Sequence, residues 1–226
     1  MFDIDGTILR GGTAVHRDAF AHAFRTIYGL QLTLDGVVAA GRTDTWLLVE
    51  PLRRSGVADS EIWAGMPQAL AVMAEFVDEH IADMRRSVLP GVAEVLARLQ
   101  AMGSMLGLLT GNLSRIARAK LHRAGLVDYF PTGGFGEESM NRADLVPVAL
   151  AHAVKTFGVP LHAGQAVLIG DTPLDIEAGQ AHGTLTCGVA TGRFSVDALR
   201  ASGAQLVLES LADSERAVDE LLRLAR

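Results

Sequence analysis

The chain has 226 residues, 49% of them hydrophobic and 20% charged, so it can bury a real core and is neither disordered nor long enough for three ordinary domains. Its 20 basic and 26 acidic side chains leave a formal charge of −6, which argues against a nucleic-acid backbone as partner, and its 5% aromatic content leaves little for base stacking. The single cysteine, Cys187, excludes an intrachain disulfide and fits a reducing compartment.

The opening Met1-Phe2-Asp3-Ile4-Asp5 places two acids where a secretory signal would carry basic and apolar regions. Every apolar stretch is broken well before the ~18 residues that a membrane span needs. The expectation is a soluble, cytoplasmic protein with no membrane partner. From about residue 15 the period is helical, with Ala19, Phe20, Ala23, Phe24 and Ile27 on one stripe. Trp46, Leu47, Val49 and Leu52 predict a shorter helix. Ile62, Trp63, Met66, Leu70, Met73, Val77, Ile81 and Met84 then step by three and four along a long one. The Met and aromatic side chains of that stripe read as core packing.

Pro90-Gly91 marks a change of pattern. Val92, Val95, Leu96, Leu99 and Met102 make a helix face. Leu106 to Leu109 is a short apolar run ending in Thr110-Gly111-Asn112, followed by a helical segment to about Ala124. Phe130 to Phe135 reads as a strand ending in glycines, and Ala143 to Phe157 as a helix. Ala166 to Ile169 is a strand ending in Gly170-Asp171; Pro173 to Ala181 is helical, and Thr184 to Ala190 a strand. Val196 to Ala201, Leu206 to Leu208 and Leu211 to Leu224 complete the alternation. Short, wholly apolar strands between helices predict an α/β fold, a parallel sheet covered on both faces. The predicted core domain comprises residues 1–14 and 89–226, with residues 15–88 an all-helical cap domain inserted after the first strand.

Sites in such sheets lie beyond the carboxyl ends of the strands. The polar groups following the apolar runs fall there: Asp3, Asp5, Thr110, Gly111, Asn112 and Asp171. Three carboxylates are hard oxygen donors that suit Mg²⁺, and no Cys/His set has zinc spacing. A threonine hydroxyl and amides beside a glycine hold phosphate oxygens. With one added cation, this is equipment for phosphoryl transfer to or from a small phosphorylated metabolite.

Asp3-Ile4-Asp5-Gly6-Thr7 resembles the first motif of the haloacid dehalogenase-like (HAD) phosphohydrolases. Leu108 to Asn112 resembles the second, and Gly170-Asp171-Thr172-Pro173-Leu174-Asp175 the fourth. The order matches the family, and the helical block sits where the family carries a cap on a Rossmann-like core. The resemblance implies that Asp3 is a nucleophile forming an aspartyl-phosphate. It implies that Asp5 is general acid and then base, with its backbone carbonyl on the metal. Mg²⁺ would be held by Asp3, Asp5 and Asp171, and Thr110 with the amide after it would bind phosphate. Asp175 either orients metal waters or the basic residue, or is a helix-start charge favoured by the dipole.

The family's third motif usually holds a lysine. The chain has two lysines, Lys120 and Lys155, both inside helical patterns. Arg142, after the Gly-Gly-Phe-Gly stretch and before a helix, is the candidate in its place; a neighbouring arginine or an exposed helix-start role are the alternatives. The acid at Asp5 points to a phosphatase or phosphomutase rather than a dehalogenase. Residues 10 to 90 contain no lysine, which argues against a phosphonate hydrolase that needs a Schiff-base lysine in its cap.

Gly41-Arg42-Thr43-Asp44 resembles a cap loop of phosphoglycolate-phosphatase-like members. Arg42 either reaches an anionic leaving group or is a surface arginine paired with Asp44. His16 either touches substrate or is a solvated or capping histidine. Gly11-Gly12 reads as a cap hinge or a plain turn. Only Met1 and Phe2 precede Asp3, where the family usually has four or five apolar residues, so the central strand is expected to be cut short. The reading is a Mg²⁺-dependent phosphomonoesterase. A phosphoglucomutase-like mutase and a catalytically weak HAD-like binding protein are the alternatives.

Overall fold

The computed structural model describes residues 1–226. The first three helices follow one another without a strand: α1 (Ala14–Tyr28), α2 (Asp44–Arg54) and α3 (Asp59–His80). Thr13 caps α1 by accepting the His16 amide, and Gly29 ends it in the left-handed conformation at φ 67°. The α1 helix packs along α3, burying Phe20 and Phe24 together with Ile62, Met66, Met73 and Val77. The α3 helix is shorter than its apolar stripe. Ile81 turns to extended backbone, yet Ile81 and Met84 are both buried. Their pattern serves packing rather than a further helical turn.

The rest alternates: α4 (Val92–Ala101), β1 (Leu108–Leu109), α5 (Ser114–Ala124), β2 (Gly133–Gly134), α6 (Leu145–Phe157), β3 (Val167–Gly170), α7 (Pro173–Ala181), β4 (Leu185–Val189), α8 (Val196–Ala201), β5 (Leu206–Leu208) and α9 (Ser214–Leu224). All pairings are parallel, β1 with β2 and β3 with β4 and β5. Phe2 joins the two groups by bridging Leu108 on one side and Ile169 on the other. The order across the sheet is therefore β2, β1, Phe2, β3, β4, β5. Successive strand residues face opposite layers: Phe2, Leu108 and Ile169 join the large core, Leu109 and Leu168 a smaller one with Leu145, Val146 and Ala178. This is a Rossmann-like core with an inserted helical cap. The strand read over Phe130 to Phe135 shrinks to Gly133–Gly134, because residues 127–129 form a 3₁₀ turn and Phe130 leaves it directly into the core.

The central strand is indeed short. Met1 and Phe2 are nevertheless fully laddered: the Met1 ammonium donates to the Val167 carbonyl at 2.7 Å, Phe2 N–H to Gly107, and Ile169 N–H to Met1. In line with them, between residues 104–107 and 165–167, lies an apolar cavity of about 280 Å³.

Candidate active site

The carboxyl ends of the strands meet at one edge. Asp3 follows Phe2 and donates its amide to the Ile169 carbonyl at 2.9 Å, Thr110 follows β1, and Asp171 follows β3. Gly192 sits just past the end of β4. The local sequence makes these turns: Gly6 takes φ 100°, and Thr172 caps α7 in a reciprocal pair with Asp175, with Pro173 at the first helical turn.

Asp3, Asp171 and Asp175 each bring an oxygen within 4.8 Å of the others, and all three are buried. Arg142, itself buried, is the cation among them: its Nη2 lies 2.8 Å from Asp3 Oδ1 and 2.5 Å from Asp175 Oδ1, and also donates to the Leu109 carbonyl at 3.2 Å. Burial works against the Arg142 charge, but Asp175 and Asp3 hold its pKa above the ordinary value. One guanidinium does not offset three carboxylates. Burial raises Asp3 to about 6 despite Arg142, and burial with the charges of Asp3 and Asp175 raises Asp171 to about 8.

The donor set fits a hard divalent cation. Asp171 Oδ1 is buried with no hydrogen-bond partner, its oxygen neighbours are the carboxylates of Asp3 and Asp175, and burial with their charges raises Asp171 itself. Asp175 is more fully used, with Oδ1 on Arg142 and Oδ2 accepting from Thr172 N–H and Oγ1. Asp171 is also cradled by glycine: a Cβ added at Gly6 or at Gly192 would overlap its carboxylate. In Gly192→Ala the mobile end of Asp171 gives way. Half-saturating Mg²⁺ should then rise about 10- to 100-fold, measured by calorimetric titration with Mg²⁺. An unchanged Mg²⁺ affinity would mean that Asp171 is not a ligand.

The Asp5 carboxylate faces away from this cluster. Its Oδ2 accepts from Lys120 Nζ at 2.6 Å and from Asn112 Nδ2 at 2.9 Å, while Oδ1 is buried without a partner. Burial pushes Asp5 up, but the charges of Lys120 and His16 and the hydrogen bonds leave it below the ordinary range. Thr110, wholly buried, accepts from Asn112 Nδ2 at 2.8 Å, which leaves its hydroxyl proton free to donate.

Lys120 is the residue that the motif reading passed over. It is fully buried on α5. Its one sequence signal is its place on the apolar stripe of Leu113, Ile116, Ala117, Leu121 and Ala124, where a charged residue is rarely seated without a partner. His16 is neither solvated nor a cap. It is buried, with Nε2 at 3.0 Å from Asp44 Oδ2 and Nδ1 at 3.2 Å from Lys120. Arg42 is not paired with Asp44 either; its guanidinium lies 4.5 Å above the centroid of the Trp46 ring. The backbone around it presses on the site: a Cβ on Gly111 would overlap the Arg42 carbonyl, and Arg142 Nη1 donates to Gly41 at 3.4 Å. No helix is long and apolar enough to cross a membrane.

A parallel sheet with aspartates at its carboxyl edge and a helical insertion over them defines a class of α/β hydrolases. A sequence model of the haloacid dehalogenase-like hydrolases matches residues 1–183, and the chain belongs to that family. A phosphoglycolate phosphatase of Neisseria meningitidis is 30% identical over 139 residues, a match that spans 62% of this chain and only 56% of that relative. A phosphoglycolate phosphatase of Synechococcus elongatus is 27% identical over 99% of this chain and 98% of its own length. A β-phosphoglucomutase of Clostridium difficile superposes with TM-score 0.69 over 98% of this chain and 97% of its own, at 18% identity, which speaks to fold alone.

Proposed function

We propose that the chain is a Mg²⁺-dependent phosphomonoesterase that hydrolyses a small anionic phosphate ester through an aspartyl-phosphate on Asp3, with residues 15–88 as its cap. The carrying observation is Asp3 itself, a buried carboxylate fastened at Oδ1 by Arg142 and packed against Asp171 at the strand ends. That arrangement holds a nucleophile in one orientation beside a cation site. When bound, Mg²⁺ supplies charge neutralisation to the phosphoryl oxygens, and Asp3 and Asp171 are placed to hold it, with Asp175 behind them and Asp5 contributing only through its backbone carbonyl.

The remaining steps belong to the chain's own residues. The free Asp3 oxygen attacks phosphorus and the ester oxygen leaves. Asp5 begins as the carboxylate and takes up the proton that the ester monoanion carries on its phosphoryl group; Oδ1, the oxygen without a protein partner, then gives that proton to the leaving oxygen. The same oxygen takes a proton from the water that attacks the aspartyl-phosphate and yields it to the departing phosphate, so the enzyme returns to its starting state. Thr110 Oγ1 and the amide of Gly111 face the phosphoryl oxygens, and Arg142 offsets charge from beneath.

The reading is tested by phosphate release from p-nitrophenyl phosphate, phosphoglycolate, sugar phosphates and nucleoside monophosphates, with Mg²⁺ and with EDTA. Turnover with Mg²⁺ that stops in EDTA is expected. Turnover that survives EDTA sinks the metal-dependent mechanism, and none on any ester sinks the phosphatase reading.

A further inference from the structure

The chain carries a net charge of −6, yet α5 holds Arg115, Arg118, Lys120, His122 and Arg123 and no acid. The helical period turns Lys120 inward and leaves the other four side chains on one exposed face. Helix electrostatics does not account for that face. The dipole favours cations in the last turn, where His122 and Arg123 lie, but opposes Arg115 in the first. Arg115 and Arg118 are also like charges three positions apart, which weakens a helix.

These side chains line an open cleft of about 680 Å³, bounded on its other side by Asp78 and Ile81 at the end of α3. Asp78 is the one carboxylate in the cleft, and it is already taken by Arg115 Nε at 2.5 Å. Arg118 and Arg123 have no carboxylate within ion-pair reach, so three guanidiniums and one carboxylate leave the cleft at +2. His122 adds a ring N–H donor. The next turn, residues 85–87, is tied to the end of α5 by the Met84 amide, which donates to the Arg123 carbonyl at 3.1 Å. It brings Arg86, a further exposed cation without an acidic partner. Ile81 and Val127 give the cleft apolar walls, beside which an ion pair is stronger than in open water.

We propose that this cleft binds a linear polyphosphate, free or as the tail of a nucleotide, at a place that the phosphoryl-transfer chemistry does not use. Its side chains make no hydrogen bond to Asp3, Asp5, Thr110, Arg142 or Asp171. The cations are strung along the helix rather than gathered at a point: at ~1.5 Å per residue, Arg118 lies about 4.5 Å from Arg115 along the axis and Arg123 about 7.5 Å further on. Such a row suits linked phosphates, each of which can meet a planar guanidinium fork, better than a single compact anion. Bound there, the polyanion offsets the like charges that α5 carries at a cost to itself. In a chain whose overall charge repels anions, binding depends on this local concentration of arginine.

The test reads binding without turnover, so it stands apart from the phosphatase reading. Calorimetric titration in metal-free buffer uses tripolyphosphate, pyrophosphate and orthophosphate as probes. Tripolyphosphate should bind one per chain, at least about tenfold tighter than orthophosphate, with pyrophosphate between them. In the double variant Arg118→Ala, Arg123→Ala its affinity should fall at least about tenfold, because two charged donors are lost. Both positions are exposed and alanine favours the helix, so the variant should fold, and its release of phosphate from p-nitrophenyl phosphate should stay within about twofold of the parent. As a second readout, tripolyphosphate should raise the thermal unfolding midpoint of the parent and not that of the variant. ATP in place of tripolyphosphate separates the two sources: tighter binding assigns the cleft to a nucleotide, equal or weaker binding to free polyphosphate. No binding of tripolyphosphate at millimolar concentration would overturn the proposal. So would equal affinity for orthophosphate, or an affinity in the double variant within about threefold of the parent, which would place the anion elsewhere on the chain.

Discussion

Asp3→Asn should abolish turnover, by on the order of 10³-fold or more, while leaving a cooperatively folding protein. The amide keeps the shape of the carboxylate, and Arg142 retains its other partner, Asp175, at 2.5 Å. What disappears is the oxygen nucleophile: Asp5 is turned toward Lys120, Asp175 has both oxygens engaged, and Asp171 is the carboxylate proposed to hold Mg²⁺. In rapid-mixing experiments with Mg²⁺, the parent should show a phosphate-mass adduct on the peptide containing Asp3, and the variant none. Turnover of Asp3→Asn within about tenfold of the parent would assign the nucleophile elsewhere.

The largest structural penalty is expected at Arg142. Its guanidinium is the only cation in contact with Asp3 and Asp175, and all three groups are buried. Arg142→Met leaves the carboxylates without that partner, and removing one member of a buried ion pair typically costs about 3–5 kcal/mol. The cost depends on pH in a defined direction. Asp3 and Asp171 already have pKa values raised to about 6 and about 8, and loss of Arg142 raises both further. A carboxylic acid raised in the folded state contributes stability that is present below its unfolded pKa and is lost as pH rises through the folded one. The deficit of Arg142→Met should therefore be greater near pH 8 than near pH 5.5, read by denaturant unfolding at both. Mg²⁺ should recover part of it, by binding the folded state alone. Arg142→Lys should recover part too, since it keeps the charge but loses the fork that reaches Asp3, Asp175 and the Leu109 carbonyl together. A deficit that does not vary with pH would mean that charge is not what Arg142 contributes.

The two lysines illustrate the reach of sequence reasoning. Lys155 lies on α6, where the helical period seats it on an exposed face, and nothing more was to be found there. Lys120 lies on an equally helical pattern but on the inner stripe, and the pattern alone does not say what it meets. Its partners Asp5 and His16 are 115 and 104 residues away in sequence. For the same reason His16 and Arg42 could be narrowed to two readings each, and the structure placed His16 inside a buried network and Arg42 on Trp46.

The sequence by itself determined the elements whose cause is local. The helical stripes of α1 and α3, the bounds of α7 and α8, the β5 run and the motif turns after Phe2, β1 and β3 follow from side-chain period, caps and glycine conformations within a few residues. It also determined the chemical type of the site, because acids that follow apolar strands must gather at one sheet edge. Only the tertiary structure decided the lengths of β1 and β2, which depend on which neighbour supplies the ladder bonds. It alone decided which cation faces which carboxylate: Arg142 to Asp3 and Asp175, Lys120 to Asp5. Those pairings come from long-range packing and from the cost of leaving a buried charge without an opposite one, which no local pattern in the chain encodes.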